Sequence, residues 1–322
     1  MGWLYRSGIT EFSQMTDLAK IFRQLLEEKS CFSLFKDPLI ERARDGCIKF
    51  GFHLEDNKIV ESVLIPEPDR NTLCISSQVG CAMKCSFCLT GTMGFTRNLS
   101  PSEIVNQICG VRDFLLTLPD EERTGPKEIS NVVFMGMGEP LNNLKNVLTS
   151  LSIMTEPKGL NLAGRRITVS TCGIAPRLRE LGEKSSVNLA ISLHAVDDEI
   201  RGRLMPVNSS YPVDQLLEAC RSFPMPKRRR IMFEYILLKG INDSDKQAHQ
   251  LAKKLRKIPC KINLLPYNES PALPYKSPDQ NRILAFQEIL RQAHYSVFIR
   301  NSRGSDISAA CGQLAGKKDA VI

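Results

Sequence analysis

Four of the chain's eleven cysteines fall within fifteen positions, in "CISSQVGCAMKCSFCLTG" (residues 74–91), and three of them, Cys81, Cys85 and Cys88, read C-x3-C-x2-C. Thiolates are soft anionic ligands, so a triplet at this spacing reads as half of a zinc site, as an iron–sulfur site, or as coincidence. Structural zinc wants four ligands, often as two pairs. No second C-x2-C and no H-x3-H occurs, and the four histidines, His53, His194, His249 and His294, are scattered. Four-iron clusters are normally held by four cysteines. Three would leave one iron open to a substrate or cofactor, the arrangement of a catalytic rather than a structural metal. Phe87, between Ser86 and Cys88, could shield such a group from solvent or simply belong to the core.

The remaining composition bounds the setting. A chain of 322 residues, 42% hydrophobic and 24% charged, can bury a sizeable core. No apolar run reaches 18 residues, and "MGWLYRSGITEF" lacks a signal-peptide pattern and the serine or threonine at position six that myristoylation uses. A cytoplasmic protein with no membrane partner is therefore expected. An odd cysteine count without a secretory signal argues against a disulfide framework and leaves the thiols free for metal or chemistry. The net charge is +8, with clusters at "KRRR" (227–230), "KKLRK" (253–257) and "GRR" (164–166). That balance is compatible with a phosphate-rich partner, although each cluster alone reads as a solvated face. Ala248, Leu251, Ala252, Leu255 and Ile258 form an apolar stripe whose wet side would carry the lysines of the second cluster.

The elements that must position these residues are legible. Apolar, β-branched runs at 73–77, 131–135, 166–170, 188–193, 231–237, 261–266 and 297–300 alternate with amphipathic stretches at 142–154, 174–183, 213–221, 243–257 and 279–293. This pattern predicts a parallel sheet with helical crossovers. Ser100, Pro101 and Glu103 spell an N-cap, a first-turn proline and a capping box, so a helix starts directly after the cysteine loop. Residues 1 to about 40 read as helical and 46–65 as a hairpin turning at Asp56 and Asn57. A boundary is expected near residue 66, at "PEPDR", separating an accessory region (1–66) from a core domain (67–322).

Cys81-x3-Cys85-x-Phe87-Cys88 at the end of a first strand resembles the signature of the radical S-adenosylmethionine (SAM) superfamily. The wider chain is similar to the RNA adenosine methyltransferase family of C2-methylating RlmN and C8-methylating Cfr enzymes, from about residue 3 to residue 316. The similarity is carried in order by "TLCISSQVGC", "GFTRNLSPSEIVNQI", "NVVFMGMGEPLNN", "RRITVSTCG", "LAISLHAVDDEIR", "LMPVN", "EYILLKGIND", "CKINLLPYN" and "RGSDISAACGQLAG". The resemblance implies an α/β fold, a partial open (β/α)6 barrel with a small N-terminal extension. It also implies one [4Fe-4S] cluster on Cys81, Cys85 and Cys88, whose open iron is chelated by the amino and carboxylate groups of SAM. Gly138, Glu139, Ser170, Ser192, Leu193, His194 and Asn268 stand at the family's SAM-contact positions. The implied partners are 23S ribosomal RNA, also transfer RNA, and an electron donor such as flavodoxin or ferredoxin.

Carbon 2 of adenine lies between two ring nitrogens and is too electron-poor to attack the SAM methyl, so a radical route supplies the reactivity. The resemblance implies two SAM molecules per turnover and two cysteines. Cys311 matches the thiolate that takes a methyl from the first SAM by displacement. The second SAM yields a 5′-deoxyadenosyl radical that removes hydrogen from the S-methyl group, and the resulting thiomethylene radical adds to the base. Cys74 matches the cysteine that resolves the protein–RNA adduct through a transient disulfide with Cys311, and Glu61 matches the proton acceptor. Without the resemblance, Cys74 and Glu61 read as a buried thiol and an outward carboxylate of strands, and His194 as a core histidine. Gly304, Gly312 and Gly316 around Cys311 read equally as turn chemistry or as the flexible loop a methyl carrier needs. Cys31, Cys47, Cys109, Cys172, Cys220 and Cys260 read as structural.

Relative to the C2-methylating enzymes the N-terminal region reads as shortened, and the end eleven residues after Cys311 resembles the C8 group. "SSQVGC" and "MGMGEPLNN" lean toward C2 and "RLMPVN" toward C8. The expectation is C2 methylation. The alternatives are C8 methylation, a radical SAM enzyme with another substrate, and a zinc-dependent nucleic-acid-binding module, which metal analysis separates.

Overall fold

The computed structural model describes residues 1–5, 7–32, 35 and 37–315. Three antiparallel strands open the sheet: β1 (Leu39–Arg42), β2 (Ile48–His53) and β3 (Ile59–Glu67). The β2–β3 turn falls where Asp56 and Asn57 predict it. Asn57 takes a left-handed φ of 60°, which asparagine tolerates, and the Leu54 N–H closes the loop on the Lys58 carbonyl at 2.8 Å. β3 then turns at Pro68 and Asp69 into the antiparallel β4 (Arg70–Cys74), so "PEPDR" is a hairpin turn inside one continuous sheet.

At Cys74 the chain leaves the sheet, three residues earlier than the apolar run suggests. It enters a small ribbon of β5 (Gln78–Gly80) and β6 (Phe95–Asn98). The large sheet resumes beside β4 with β7 (Asn131–Phe134), β8 (Ile167–Thr171), β9 (Asn188–Ser192), β10 (Ile231–Leu237), β11 (Cys260–Pro266) and β12 (Val297–Ile299), all parallel. Its ten strands end at β1 and β12 without closing.

Helices α1 (Gly2–Tyr5) and α2 (Lys20–Lys29) precede the sheet, and α3 (Leu89–Thr92) and α4 (Pro101–Thr117) join β4 to β7. The later crossovers are α5 (Leu144–Thr155), α6 (Ala175–Lys184), α7 (Asp198–Leu204) with α8 (Val213–Arg221), α9 (Asp245–Leu255) and α10 (Gln280–Gln292). Six β/α units with a short final strand make the open (β/α)6 arrangement.

The capping box is formed: Ser100 Oγ accepts the Glu103 N–H at 3.2 Å, and Glu103 Oε2 accepts the Ser100 N–H at 2.8 Å. Helix α7, not evident from apolar spacing, is started by Asp197, whose carboxylate accepts the N–H groups of Glu199 and Ile200 at 3.0 Å each. The stripe of α9 is buried at Ala248, Leu251 and Leu255 and continues to Ile258, with Ala252 half-buried. Lys254 on its flank pairs with Asp214, and Lys227, Arg228 and Arg230 are exposed, as solvated faces are.

The ribbon carries the cysteine loop, and Gly80 fixes it. Its φ is +72°, and a Cβ there would collide with the Gly94 carbonyl oxygen across the ribbon. Gly80→Ala is expected to cost ~3 kcal/mol of stability. Gly202→Ala in α7, with nothing within 4 Å of the new methyl, should stabilise by ~0.5 kcal/mol. Urea midpoints measure both, and equal midpoints for the two variants would contradict this account.

Candidate active site

The residues singled out by type and motif gather at one face. Cys74 ends β4, Gly138 and Glu139 follow β7, Ser170 is the next-to-last residue of β8, Ser192 ends β9 with Leu193 and His194 beyond it, and Asn268 follows β11. This is the carboxyl end of the parallel strands, where α/β folds collect ligands. Ser170, Ser192 and Asn268 are half-buried, and Leu193 is fully buried.

Cys81, Cys85 and Cys88 are half-buried in the loop between β5 and α3. The loop is tied by Cys81 N–H to Gly94 O at 2.8 Å, Cys88 N–H to Cys85 O at 3.1 Å and Ser86 N–H to Leu204 O at 2.9 Å. Burial raises all three thiols, Cys81 to about 12, so without a cation they stay protonated. Among the described residues no three His, Cys, Asp or Glu side chains could hold one metal ion. A tetrahedral zinc needs sulfurs ~2.3 Å from a single point, whereas a cluster spreads its thiolates over several irons. The donor set therefore fits a polynuclear iron–sulfur group. In the same wall, Tyr267 Oη and Gln313 Oε1 are buried without a hydrogen-bond partner among the described residues.

Beside the loop, Gly138 has a φ of +96° and packs so closely on Gln78 that a Cβ would lie 2.5 Å from that side chain. Glu139 is 3% exposed. Its carboxylate accepts the Leu141 N–H at 2.9 Å and the Cys172 N–H at 2.7 Å, and among the described residues no cation pairs with it. Burial raises this carboxyl despite those hydrogen bonds. His194 holds a left-handed φ of 58°, a strained state for a non-glycine residue. Its Nδ1 accepts the Ile236 N–H at 3.1 Å, which puts the neutral ring's proton on Nε2. Burial, with the Arg201 charge adding, lowers His194 to about 3. The ring stands edge-on to Phe87 at 4.9 Å between centroids, linking this pocket to the cysteine loop.

The segment carrying Cys311 is laced onto both. Gly304 N–H reaches Asp45 Oδ2 at 2.8 Å, and Lys49 Nζ donates to Ile307 O at 2.7 Å. Leu89 N–H donates to Gly312 O at 2.8 Å, Thr90 Oγ1 to Leu314 O at 2.6 Å, and Asn268 Nδ2 to Cys311 O at 3.2 Å. Glu61 is buried rather than outward: Oε2 accepts the Ala315 N–H at 2.8 Å, and Oε1 lies 3.8 Å from Lys49 Nζ. Cys311 itself is exposed within a recess where surrounding protein raises its thiol, with Glu234, Arg300 and Cys88 as charged or ionisable neighbours. Cys74 is buried, and its thiol is raised first by burial and then by the neighbouring Cys311. Gly316 lies outside the described residues.

Sequence reasoning passed over Gln78, Lys49, Arg201 and Glu234. Gln78 Oε1 accepts the Glu139 N–H at 2.8 Å. Glu234 sits in the middle of β10, bonded by Asn263 Nδ2 at 2.8 Å, and burial pushes its carboxyl to about 7. A lone acid within "IMFEYILL" was the available signal.

The radical SAM superfamily profile matches residues 75–252, and that of the ribosomal RNA large subunit methyltransferase N-terminal domain matches residues 1–32. A dual-specificity RNA methyltransferase RlmN from Desulfotalea psychrophila is 71% identical over 98% of this chain and 87% of its own length. The chain belongs to the RlmN family of radical SAM RNA methyltransferases. A second RlmN, from Geobacter sulfurreducens, is 53% identical over 99% of this chain and 85% of its own. A solved radical SAM methyltransferase from Sphaerobacter thermophilus superposes with a TM-score of 0.89 at 42% identity, covering 98% of this chain and 91% of that one. No helix among the described residues is long and apolar enough to cross a membrane.

Proposed function

We propose that the protein methylates carbon 2 of adenosine in 23S ribosomal RNA and in transfer RNA, through a methylated Cys311. The observation that supports this reading most is the direct seating of the Cys311 segment on the cysteine-triplet loop, Gly312 O on Leu89 N–H, with Cys74 as its thiol neighbour. Cys81, Cys85 and Cys88 would hold the [4Fe-4S] cluster, and the Gly138–Glu139 corner, Ser170, Ser192, Leu193, His194 and Asn268 would hold SAM. Such a cluster, when bound and reduced by a flavodoxin- or ferredoxin-type donor, would supply the one-electron chemistry needed to cleave SAM.

The protein's own groups do the rest. Glu139 offers a buried carboxylate to the SAM ammonium. The Cys311 thiol must lose its proton to become a nucleophile, and burial opposes this until a base is near. Glu234, titrating near neutrality among the groups that face Cys311, can take that proton. Glu61, held by Ala315 N–H and Lys49, would accept the proton from adenine carbon 2, and Cys74 would release the product by attack at the Cys311 sulfur. Residues 1–66 would serve as an accessory region for RNA.

The test is mass spectrometry of nucleosides from ribosomal and transfer RNA incubated with anaerobically reconstituted protein, SAM and reductant. 2-Methyladenosine is expected in both. 8-Methyladenosine, or no methylated adenosine despite an intact cluster and SAM cleavage, would overturn the proposal.

A further inference from the structure

Arg201 in α7 is completely buried. Its guanidinium makes four hydrogen bonds, every one to a neutral oxygen: Nε to Leu193 O at 3.0 Å, Nη1 to Asn208 Oδ1 at 2.9 Å, and Nη2 to the Cys172 and Ser192 carbonyls at 2.7 and 3.3 Å. Among the described residues no carboxylate forms an ion pair with it. Asp198, one turn earlier in the same helix, turns its carboxylate to Asn208 Nδ2 and the Val213 N–H, both within 2.9 Å. A charge this deep whose hydrogen bonds all go to neutral dipoles is unfavourable unless an anion meets it.

The direction of that anion is given by the packing. Helix α7 backs the cysteine loop, Leu204 O accepting the Ser86 N–H at 2.9 Å. The guanidinium is held on the Cys172 carbonyl by Nη2, on the helix whose last turn is bonded to the residue after Cys85, and Cys172 and Cys85 are among its ionisable neighbours. Of its other ionisable neighbours, Asp198 spends its carboxylate on Asn208 and the Val213 N–H, and Cys220 and the neutral His194 bring no negative charge. The anion that belongs there is a metal-bound Cys85 thiolate with the group it helps hold.

We propose that Arg201 is the fixed counter-charge of the cluster on Cys81, Cys85 and Cys88, favouring its reduced, more negative state. This rests on the cluster assignment made above. Net charge and nearby polar groups are among the terms that set iron–sulfur potentials, and a cation fixed in a low-dielectric interior acts at nearly full strength. Arg201 touches neither substrate nor reacting atoms, so it is a positioning and tuning residue.

The test compares anaerobically reconstituted wild-type protein with Arg201→Gln, Arg201→Lys and Asn208→Ala, reading iron and sulfide content and the midpoint potential by spectroscopic titration. Arg201→Gln is expected to disfavour reduction about tenfold, a negative shift of ~59 mV for a one-electron couple. Arg201→Lys keeps the charge, and Asn208→Ala removes the Nη1 bond together with the two that Asn208 Nδ2 makes to Asp198 while leaving the arginine's charge in place, so both should stay near wild type. If the glutamine variant holds no cluster while the lysine variant does, the charge requirement stands. An unchanged potential in Arg201→Gln, an equal shift in Asn208→Ala, or cluster loss in both Arg201 variants would overturn the proposal in favour of a purely structural arginine. Failure of wild type to take up iron and sulfide, or uptake surviving removal of all three cysteines, would instead overturn the cluster assignment.

Discussion

Cys74→Ala is expected to stall the protein as a covalent adduct with its RNA, with turnover lowered by about 10³-fold or more. The expectation comes from where the two thiols are. Cys74 ends β4 and is buried, while Cys311 is exposed and is the one ionisable group that raises the Cys74 thiol besides burial. On the proposed mechanism Cys311 becomes bonded to the base, Cys74 would then be the thiol that attacks its sulfur, and alanine would remove that attack without altering the strand. Both residues are free thiols in the structure, the state in which the cycle must begin. Denaturing electrophoresis and intact mass would show protein and RNA joined in Cys74→Ala and separate in the Cys74→Ala, Cys311→Ala double variant. Normal turnover by Cys74→Ala, or an adduct that persists without Cys311, would sink the assignment.

The second large effect is expected at Glu139. This carboxylate is buried, held by two backbone N–H groups and lacking a cation among the described residues, which is how a site waiting for an ammonium looks. Glu139→Gln keeps the shape and removes the charge, so the dissociation constant for SAM should rise by roughly a hundredfold. A SAM analogue without the amino group should bind wild type and variant alike. Burial raises the free carboxyl and an arriving ammonium lowers it, so SAM binding should weaken as pH falls through the range where the free Glu139 takes a proton. Equilibrium dialysis with labelled SAM measures all three, and an unchanged constant in Glu139→Gln would remove this residue from the SAM site.

Much of this was readable beforehand because the signals were local. The parallel strands announce themselves as apolar runs: β10 is bounded by its pattern to the residue, and α4 by Ser100, Pro101 and Glu103. The cysteine triplet is a fixed spacing in one loop. What stayed hidden depends on contacts between distant segments. Nothing in "DDEIRGRL" marks Arg201 as buried, since an arginine in a short polar helix reads as solvated until α7 is seen packed behind the cysteine loop. Glu61 reads as an outward strand residue because its partner, the Ala315 N–H, comes from the far end of the chain. The ribbon of β5 and β6 is too short for alternation to register, and it displaces the expected strand end from Ser77 to Cys74.

The lacing of the Cys311 segment also has a kinetic meaning. The Asp45 to Gly304 contact spans 259 residues and the Glu61 to Ala315 contact 254. Closing such loops is entropically costly and follows the local pairing of the sheet, so the hairpin and barrel strands form first and this segment docks last. By the same ordering it is a part that opens at low cost in the finished protein, held by a few hydrogen bonds and the small buried side chains of Ala309, Ala310 and Leu314 rather than by a strand in the sheet. Late docking and easy release are two faces of one free energy, and on the proposed mechanism together they would let Cys311 visit two chemical partners without unfolding the barrel.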